Sequence, residues 1–320
     1  MALYRGELYV DEAAPGLARI VPEGTVLEAV ADGFIFTEGP VWMKEDGGSA
    51  LYFTDIRDDK ILRWWPGRGA DVAVAPAGHP DGMTLDGENR LIVAGFGART
   101  IWRLEKDGSV TTLCARWHGL KLNSPNDIIT RSDESIYFTN PNGGLNNVGM
   151  GDYDVQKYIP TQQVLRLALG ATEPELLADD FDNPNGICFS PDEAILYVND
   201  TRRKHIRAWD VRPDGSIFNG RLFAETLGTE PGGPDGMRVD VEGNVYCTGP
   251  AGIHVFDPAG RLLGRLHTPK QVANMTWGDD DWRTLYMTAR ETVYRTRLGI
   301  PGVPHGPRYR REALAAAGKL

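Results

Sequence analysis

Gly233-Pro234-Asp235-Gly236-Met237 is one copy of a phrase that returns along the whole chain. The other copies read Glu38-Gly39-Pro40, Asp81-Gly82-Met83, Asn126-Asp127-Ile128, Asn185-Gly186-Ile187 and Asn274-Met275-Thr276. The leading polar residue is always a carboxylate or an amide, and in four of the six a proline precedes it: Pro80, Pro125, Pro184 and Pro234. Each phrase opens an apolar run of strand character. The next run ends in a second echo: Leu51-Tyr52-Phe53-Thr54-Asp55, Ile136-Tyr137-Phe138-Thr139-Asn140, Leu196-Tyr197-Val198-Asn199-Asp200, Val245-Tyr246-Cys247-Thr248-Gly249 and Leu285-Tyr286-Met287-Thr288-Ala289. Strand-rich units at roughly 40–60-residue intervals signify radial repetition about an axis. The expected fold is all-β: a six-bladed β-propeller with a central metal-binding channel, residues 1–320 forming one domain.

Within a repeat the pattern is strand, turn, strand, turn. Asp107-Gly108, Asp214-Gly215 and Glu242-Gly243 mark turns, and Lys60 to Trp64 and Thr100 to Leu104 alternate apolar with polar as half-buried strands do. Residues 1–35 precede or lead into the first phrase and contain strand-like Thr25 to Val30, expected to close the ring against the last blade. The tail, 302–320, carries a short helix expected at Arg311 to Ala317. The polar phrase opens the innermost strand of each blade and the next strand runs back beside it. The start of the first and the end of the second therefore share one face. That geometry puts Asp55, Asn140 and Asp200 at the same mouth as the ring residues. In blade three the connection leaving that mouth is long, 141–160, rich in glycine and asparagine, with Tyr153 and Tyr158. A loop of that length in a compact fold reads as a lid.

Composition narrows the classes. A net charge of −10 argues against a phosphate-backbone ligand. The short basic runs Arg202-Arg203-Lys204 and Arg308-Tyr309-Arg310-Arg311 do not overturn that, and the second reads as solvated surface. No apolar run is long enough to span a bilayer, and the N-terminus lacks a signal core. Cys114, Cys188 and Cys247 sit at unrelated spacings in strand-like runs, which fits buried, inert thiols in a reducing, cytoplasmic setting. No Gly-x-Ser-x-Gly elbow and no phosphate-cradling glycine loop occurs, and His79 and His205 fall singly on mouth-side connections.

A ring of Glu, Asp and Asn without clustered His or Cys suits a hard divalent cation, calcium ahead of magnesium, manganese or zinc. Glu38 and Asp235 bring two negative charges; Asn126 and Asn185 bring neutral carbonyl oxygens. Asp81 could complete the shell, bind substrate or carry a proton. With Asn126, Asn140, Asp200 and Asn274 it makes up the expected substrate contacts. The plain alternative is that Asp-Gly and Asn-Gly are turn formers in their own right. Against it stand the periodic placement and Glu38, where turn chemistry does not favour glutamate.

Glu38-Gly39-Pro40, Asn123-Ser124-Pro125-Asn126-Asp127, Asn183-Pro184-Asn185-Gly186 and Gly233-Pro234-Asp235-Gly236 together resemble the gluconolactonase/regucalcin (senescence marker protein) family, from about Phe36 to Leu298, and the blade-three insertion is similar to its bacterial gluconolactonase branch. The resemblance implies a propeller with one divalent ion in its channel, Glu38, Asn185 and Asp235 as ligands, Asn126 at the ion or beside the substrate, and Asp235 as general base. Two positions depart from the family pattern. Asn140 stands where an aspartate is usual, and Ser124 where animal members carry a lactone-gripping arginine.

The reaction expected is hydrolysis of a lactone, a sugar-acid lactone by resemblance, by a water that Asp235 deprotonates. The partner is a small molecule, with neither nucleic acid nor membrane; sealed propeller edges suit a monomer or a homodimer equally. Two rival readings use the same ring: phosphotriester hydrolysis at the ion, and a non-enzymatic propeller displaying Trp42, Phe96 and Trp277 as a docking face.

Overall fold

The computed structural model describes residues 3–11, 14–45, 47–146, 149–150 and 154–320. Six antiparallel sheets are arranged around an axis, and each innermost strand touches the innermost strands of both neighbouring blades. Blade one comprises Thr37–Glu45, Gly48–Asp55, Lys60–Trp65 and Gly69–Val74. The innermost strands of the other five are Pro80–Leu85, Ile128–Thr130, Pro184–Phe189, Met237–Val239 and Asn274–Gly278. Burial falls outward, as propeller packing requires. Pro80–Leu85 is buried throughout, Lys60–Trp65 buries Ile61, Leu62 and Trp64, and Gly69–Val74 is largely exposed.

The N-terminal segment clasps two blades. Val26–Asp32 pairs with Thr292–Arg297 to complete blade six, and Arg5–Glu7 adds a fifth strand there. Val10–Asp11 then crosses to pair with Leu262–His267 on blade five. These additions cover edges that would otherwise offer unpaired amides.

The tail does more than the sequence suggested. Its helix is Pro307–Ala316, beginning four residues before the expected Arg311 because Pro307 starts it well. The run read as solvated surface is partly interior: Tyr309 is buried, and Arg310 bonds the Ser190 and Pro191 carbonyls and faces Glu193 at 3.3 Å. Gly302 lies flat on Trp277, where a Cβ would stand 1.8 Å from the indole. The tail thereby packs on the end of the channel opposite the polar phrases. Trp42 and Trp277 are 3% and 0% exposed, and Trp42 stacks on Tyr286 at 5.0 Å. Phe96 is buried too, so the aromatic docking face of the non-enzymatic reading does not exist.

Candidate active site

Three of the phrases are β-bulges. In blade one Glu38 pairs with Thr54 but Val41 with Tyr52, and the same kind of register shift appears between Pro80 and Met83 and between Pro184 and Ile187. A bulge turns one side chain out of the pleat, here away from the blade and toward the axis. The glycine of the phrase has a purpose beyond the turn chemistry expected of it. A Cβ on Gly39 would lie 2.1 Å from the Asp81 carbonyl, on Gly82 2.5 Å from that of Asn126, and on Gly186 2.0 Å from that of Asp235. Each glycine lets the next blade's phrase approach, so the polar residues crowd one mouth.

The second echo supplies the brackets. Thr248 Oγ1 accepts the Asp235 N–H at 2.7 Å, Thr139 Oγ1 that of Asp127 at 3.1 Å, and the Thr54 hydroxyl donates to the Asp81 carbonyl at 3.1 Å. In blade four Asn199 takes this place, donating to the Asp235 carbonyl at 2.5 Å and accepting from Gly186 N–H at 3.2 Å.

Two ring residues of neighbouring blades are bonded directly. Asn126 Nδ2 donates to Asp81 Oδ2 at 2.6 Å, while Asn185 and Asn274 favour the charged forms of Asp235 and Glu38 respectively. Asn185 Nδ2 donates to Thr201 Oγ1 at 3.1 Å. Burial raises the proton affinity of all three acids. Glu38 is pushed well above the carboxylate range by burial and by the charge of Asp235; Asp81 by burial and then by Glu38 and Asp235. Asp235 rises to about 7 through burial and the nearby Asp127, yet it keeps a partly exposed side toward the mouth.

Two expected substrate contacts are corrected. Asp200 is fully buried, and its carboxylate accepts from the backbone N–H groups of Asp182 (2.7 Å), Asn183 (3.2 Å), Arg202 (3.0 Å) and Arg203 (3.1 Å). Asn140 is likewise fully buried and donates to Gln163 Oε1 at 3.2 Å. The last residue of the second echo pins its own corner, as Asp55 also does for Ile35 and Phe36.

Among the described residues no trio of His, Cys, Asp or Glu closes around one point. The candidate donor set is mixed, acids with amides, and amide oxygens are ordinary calcium ligands. Glu38 and Asp81 are buried and Asp235 is half-buried, and among the described residues none of the three has an ion-pair partner. Buried acids in that state are relieved by protons or by a bound cation, so the residues fit a hard divalent ion.

A profile of the SMP-30/gluconolactonase/LRE-like region matches residues 36–291. The chain belongs to the SMP-30/gluconolactonase/LRE-like family. A gluconolactonase of Zymomonas mobilis is 29% identical over 314 residues, covering 90% of this chain and 85% of its own. The solved structure of a gluconolactonase from Xanthomonas campestris superposes at TM-score 0.84 with 30% identity, covering 93% of this chain and 98% of that one. A calcium-binding protein, regucalcin from Agrobacterium tumefaciens, covers 85% of this chain and 93% of its own at TM-score 0.70; at 17% identity that likeness concerns the fold alone.

Three features of this family member were not legible beforehand. Asp127 stands where four other phrases have glycine, a signal that was present but unread. Its Oδ2 accepts from Ile187 N–H at 3.2 Å and faces Arg238 Nη1 at 3.3 Å, while Arg238 Nε donates to His305 Nε2 at 2.9 Å. Burial and Arg238 hold His305 neutral. The second feature is the seat of the 141–160 insertion, of which 147–148 and 151–153, including Gly151 and Tyr153, lie outside the described residues. Met150 packs with Ile56 of blade one and Phe96 of blade two, with Phe36 alongside. The third is Arg290, which closes a turn beside Glu38.

Proposed function

We propose that this protein is a calcium-dependent lactonase opening sugar-acid lactones, the ion held by Glu38, Asn185 and Asp235, with Asn126 at the ion or beside the substrate. The observation that carries the reading is three buried or half-buried acids, without ion-pair partners among the described residues, interleaved with amides at one mouth of a propeller of this family. The chain is a hydrolase of the lactone-opening class.

A divalent ion bound there supplies Lewis-acid polarisation of the ester carbonyl. Asp235 is the base of the proposal: partly exposed at the mouth, it takes a proton from the attacking water. When the ring C–O bond breaks, that proton passes to the leaving ring oxygen, and water plus lactone become one hydroxy acid. Asp81 orients the Asn126 amide, whose carbonyl then faces ion or substrate. Asn274 steadies Glu38. In this proposal Met150 of the blade-three insertion, packed on Ile56 and Phe96, walls the mouth and limits bulk water.

The setting proposed is cytoplasmic. It is supported by three free, buried cysteines, and among the described residues no helix is long and apolar enough to cross a membrane. The partner is a small molecule.

The test is lactone hydrolysis by proton release, with metal-stripped protein and calcium, magnesium, manganese or zinc added singly. Restoration by calcium supports the proposal, and restoration by another ion reassigns the cofactor. Silence across the panel, in protein that binds calcium, moves the activity to another ester class.

A further inference from the structure

The lip of the mouth between blades six and one is built around one residue. Arg290 occupies the tight turn between Thr284–Ala289 and Thr292–Arg297, with φ of 57°. Its carbonyl accepts from both the N–H (2.7 Å) and the hydroxyl (2.8 Å) of Thr37, the residue next to Glu38. The guanidinium lies over the Phe36 ring at 5.4 Å, and its Nη2 donates to Gln271 Oε1 at 2.8 Å. Backbone, ring and amide together fix a cation at the rim, directly beside the acid ring.

Two other cations of this face are already engaged. Lys270 bonds Glu291 at 2.6 Å, and Arg203 bonds Asp182 at 3.0 Å. Among the described residues Arg290 has no carboxylate at ion-pair distance; its guanidinium meets the Phe36 ring and Gln271. Phe36 continues the wall into the apolar patch of Ile56, Phe96 and Met150. The mouth therefore offers an oxygen-lined floor, an apolar side and one oriented guanidinium at the edge. A planar guanidinium with donors to spare is suited to carboxylate, phosphate or sulfonate.

We propose that Arg290 is a specificity residue, receiving an anionic group that the substrate carries at the end remote from its ester carbonyl. The inference rests on the lactonase reading and names the substrate subclass: acidic lactones ahead of neutral ones of the same size. Arg290 takes no part in bond making, so a neutral lactone gains nothing from it.

The experiment compares glucarolactone, which carries a remote carboxylate, with neutral gluconolactone, in the calcium-loaded wild type and in Arg290→Gln and Arg290→Lys. The expected result is a fall of roughly tenfold or more in kcat/KM for glucarolactone with Arg290→Gln, mostly in KM. Gluconolactone should change less than about twofold, and Arg290→Lys should recover part of the loss. Equal losses on both lactones would make Arg290 a structural prop and overturn the proposal, as would no change on either. A phosphorylated lactone run alongside distinguishes carboxylate from phosphate recognition. If the wild type opens no lactone at all, the lactonase reading fails by itself. Calorimetric binding of the open-chain dianion glucarate then decides Arg290 separately: weaker binding by Arg290→Gln keeps the anion site, and unchanged binding removes it.

Discussion

Asn126 Nδ2 donates to Asp81 Oδ2 at 2.6 Å across the junction of blades three and two. With its nitrogen committed to Asp81, Asn126 turns its carbonyl oxygen the other way, as a ligand of a cation or a hydroxyl must be turned. The other two ring amides are held differently: Asn185 Nδ2 donates to Thr201 Oγ1 at 3.1 Å, and Asn274 Oδ1 accepts from Met275 N–H at 2.9 Å.

Asp81 and Asp235 should therefore fail differently when neutralised. Asp235→Asn removes the proposed base and should lower kcat by roughly 10²–10⁴-fold. Asp81→Asn disturbs only the aim of Asn126 and should act mainly on KM. Steady-state kinetics at saturating calcium separates the two. An equal kcat loss in Asp81→Asn, with the ion still bound, would give Asp81 the proton-carrying role instead.

Proton affinity gives an expectation for the ion-free protein. Asp235 is raised to about 7 by burial and Asp127, and Glu38 and Asp81 are raised well above the carboxylate range by burial and by neighbouring carboxylates, Asp235 for Glu38 and Glu38 then Asp235 for Asp81. A raised acid binds a proton in the folded chain at pH values where the unfolded chain has lost it. Folding stability then falls as pH rises from the ordinary carboxylate value, about 4, toward 7 and above. Chelator-treated protein should melt at higher temperature near pH 5 than near pH 8. Calcium should reverse the order, because its binding releases those protons and weakens on acidification. A calcium affinity independent of pH between 5 and 8 would contradict the raised acids.

The propeller was legible because its repeat writes nearly the same local instruction six times: a polar residue, in four copies a glycine after it, then a strand. What the phrase does was only half legible. Asp-Gly and Asn-Gly look like turns in any single copy, and nothing local reveals that Gly186 must admit the carbonyl of Asp235 from another blade. Asp200 misled for the same reason. Its position at the mouth follows from strand direction, but only the folded corner shows that four backbone amides consume its carboxylate. Arg310 in the tail carries the matching lesson: charge runs look solvated until a long-range partner such as Glu193 is known.

The close-approach reading of the glycines is testable by size alone. Gly186→Ala places a methyl where the Asp235 carbonyl stands 2.0 Å away, so the phrase must shift, at about 1–3 kcal/mol of stability and with weaker calcium binding. Gly47→Ala, with nothing within 4 Å, is the control and should change neither. Urea midpoints and calcium titrations read both effects. Equal behaviour of the two variants would return the phrase to plain turn chemistry.

Beneath the ring, Asp127 and Arg238 are 1% and 4% exposed at their side chains and 3.3 Å apart. Asp127 follows Asn126, holds Ile187 two residues after Asn185, and reaches Arg238 three residues after Asp235. One carboxylate thus ties the backbones of three ring phrases, and through Arg238 it reaches the tail at His305. Arg238→Met leaves Asp127 buried without its cation and should destabilise by roughly 3–5 kcal/mol. The double variant Asp127→Asn/Arg238→Met removes both charges and should regain most of that stability. Calcium affinity should not follow, because the amide introduced at position 127 would no longer hold the phrases from two sides. Losing the groups that orient metal ligands weakens metal binding by about 10–100-fold. Denaturant midpoints and calcium titrations on wild type, single and double variants make the comparison. Full recovery of calcium affinity in the double variant would reduce the pair to a structural element with no bearing on the site.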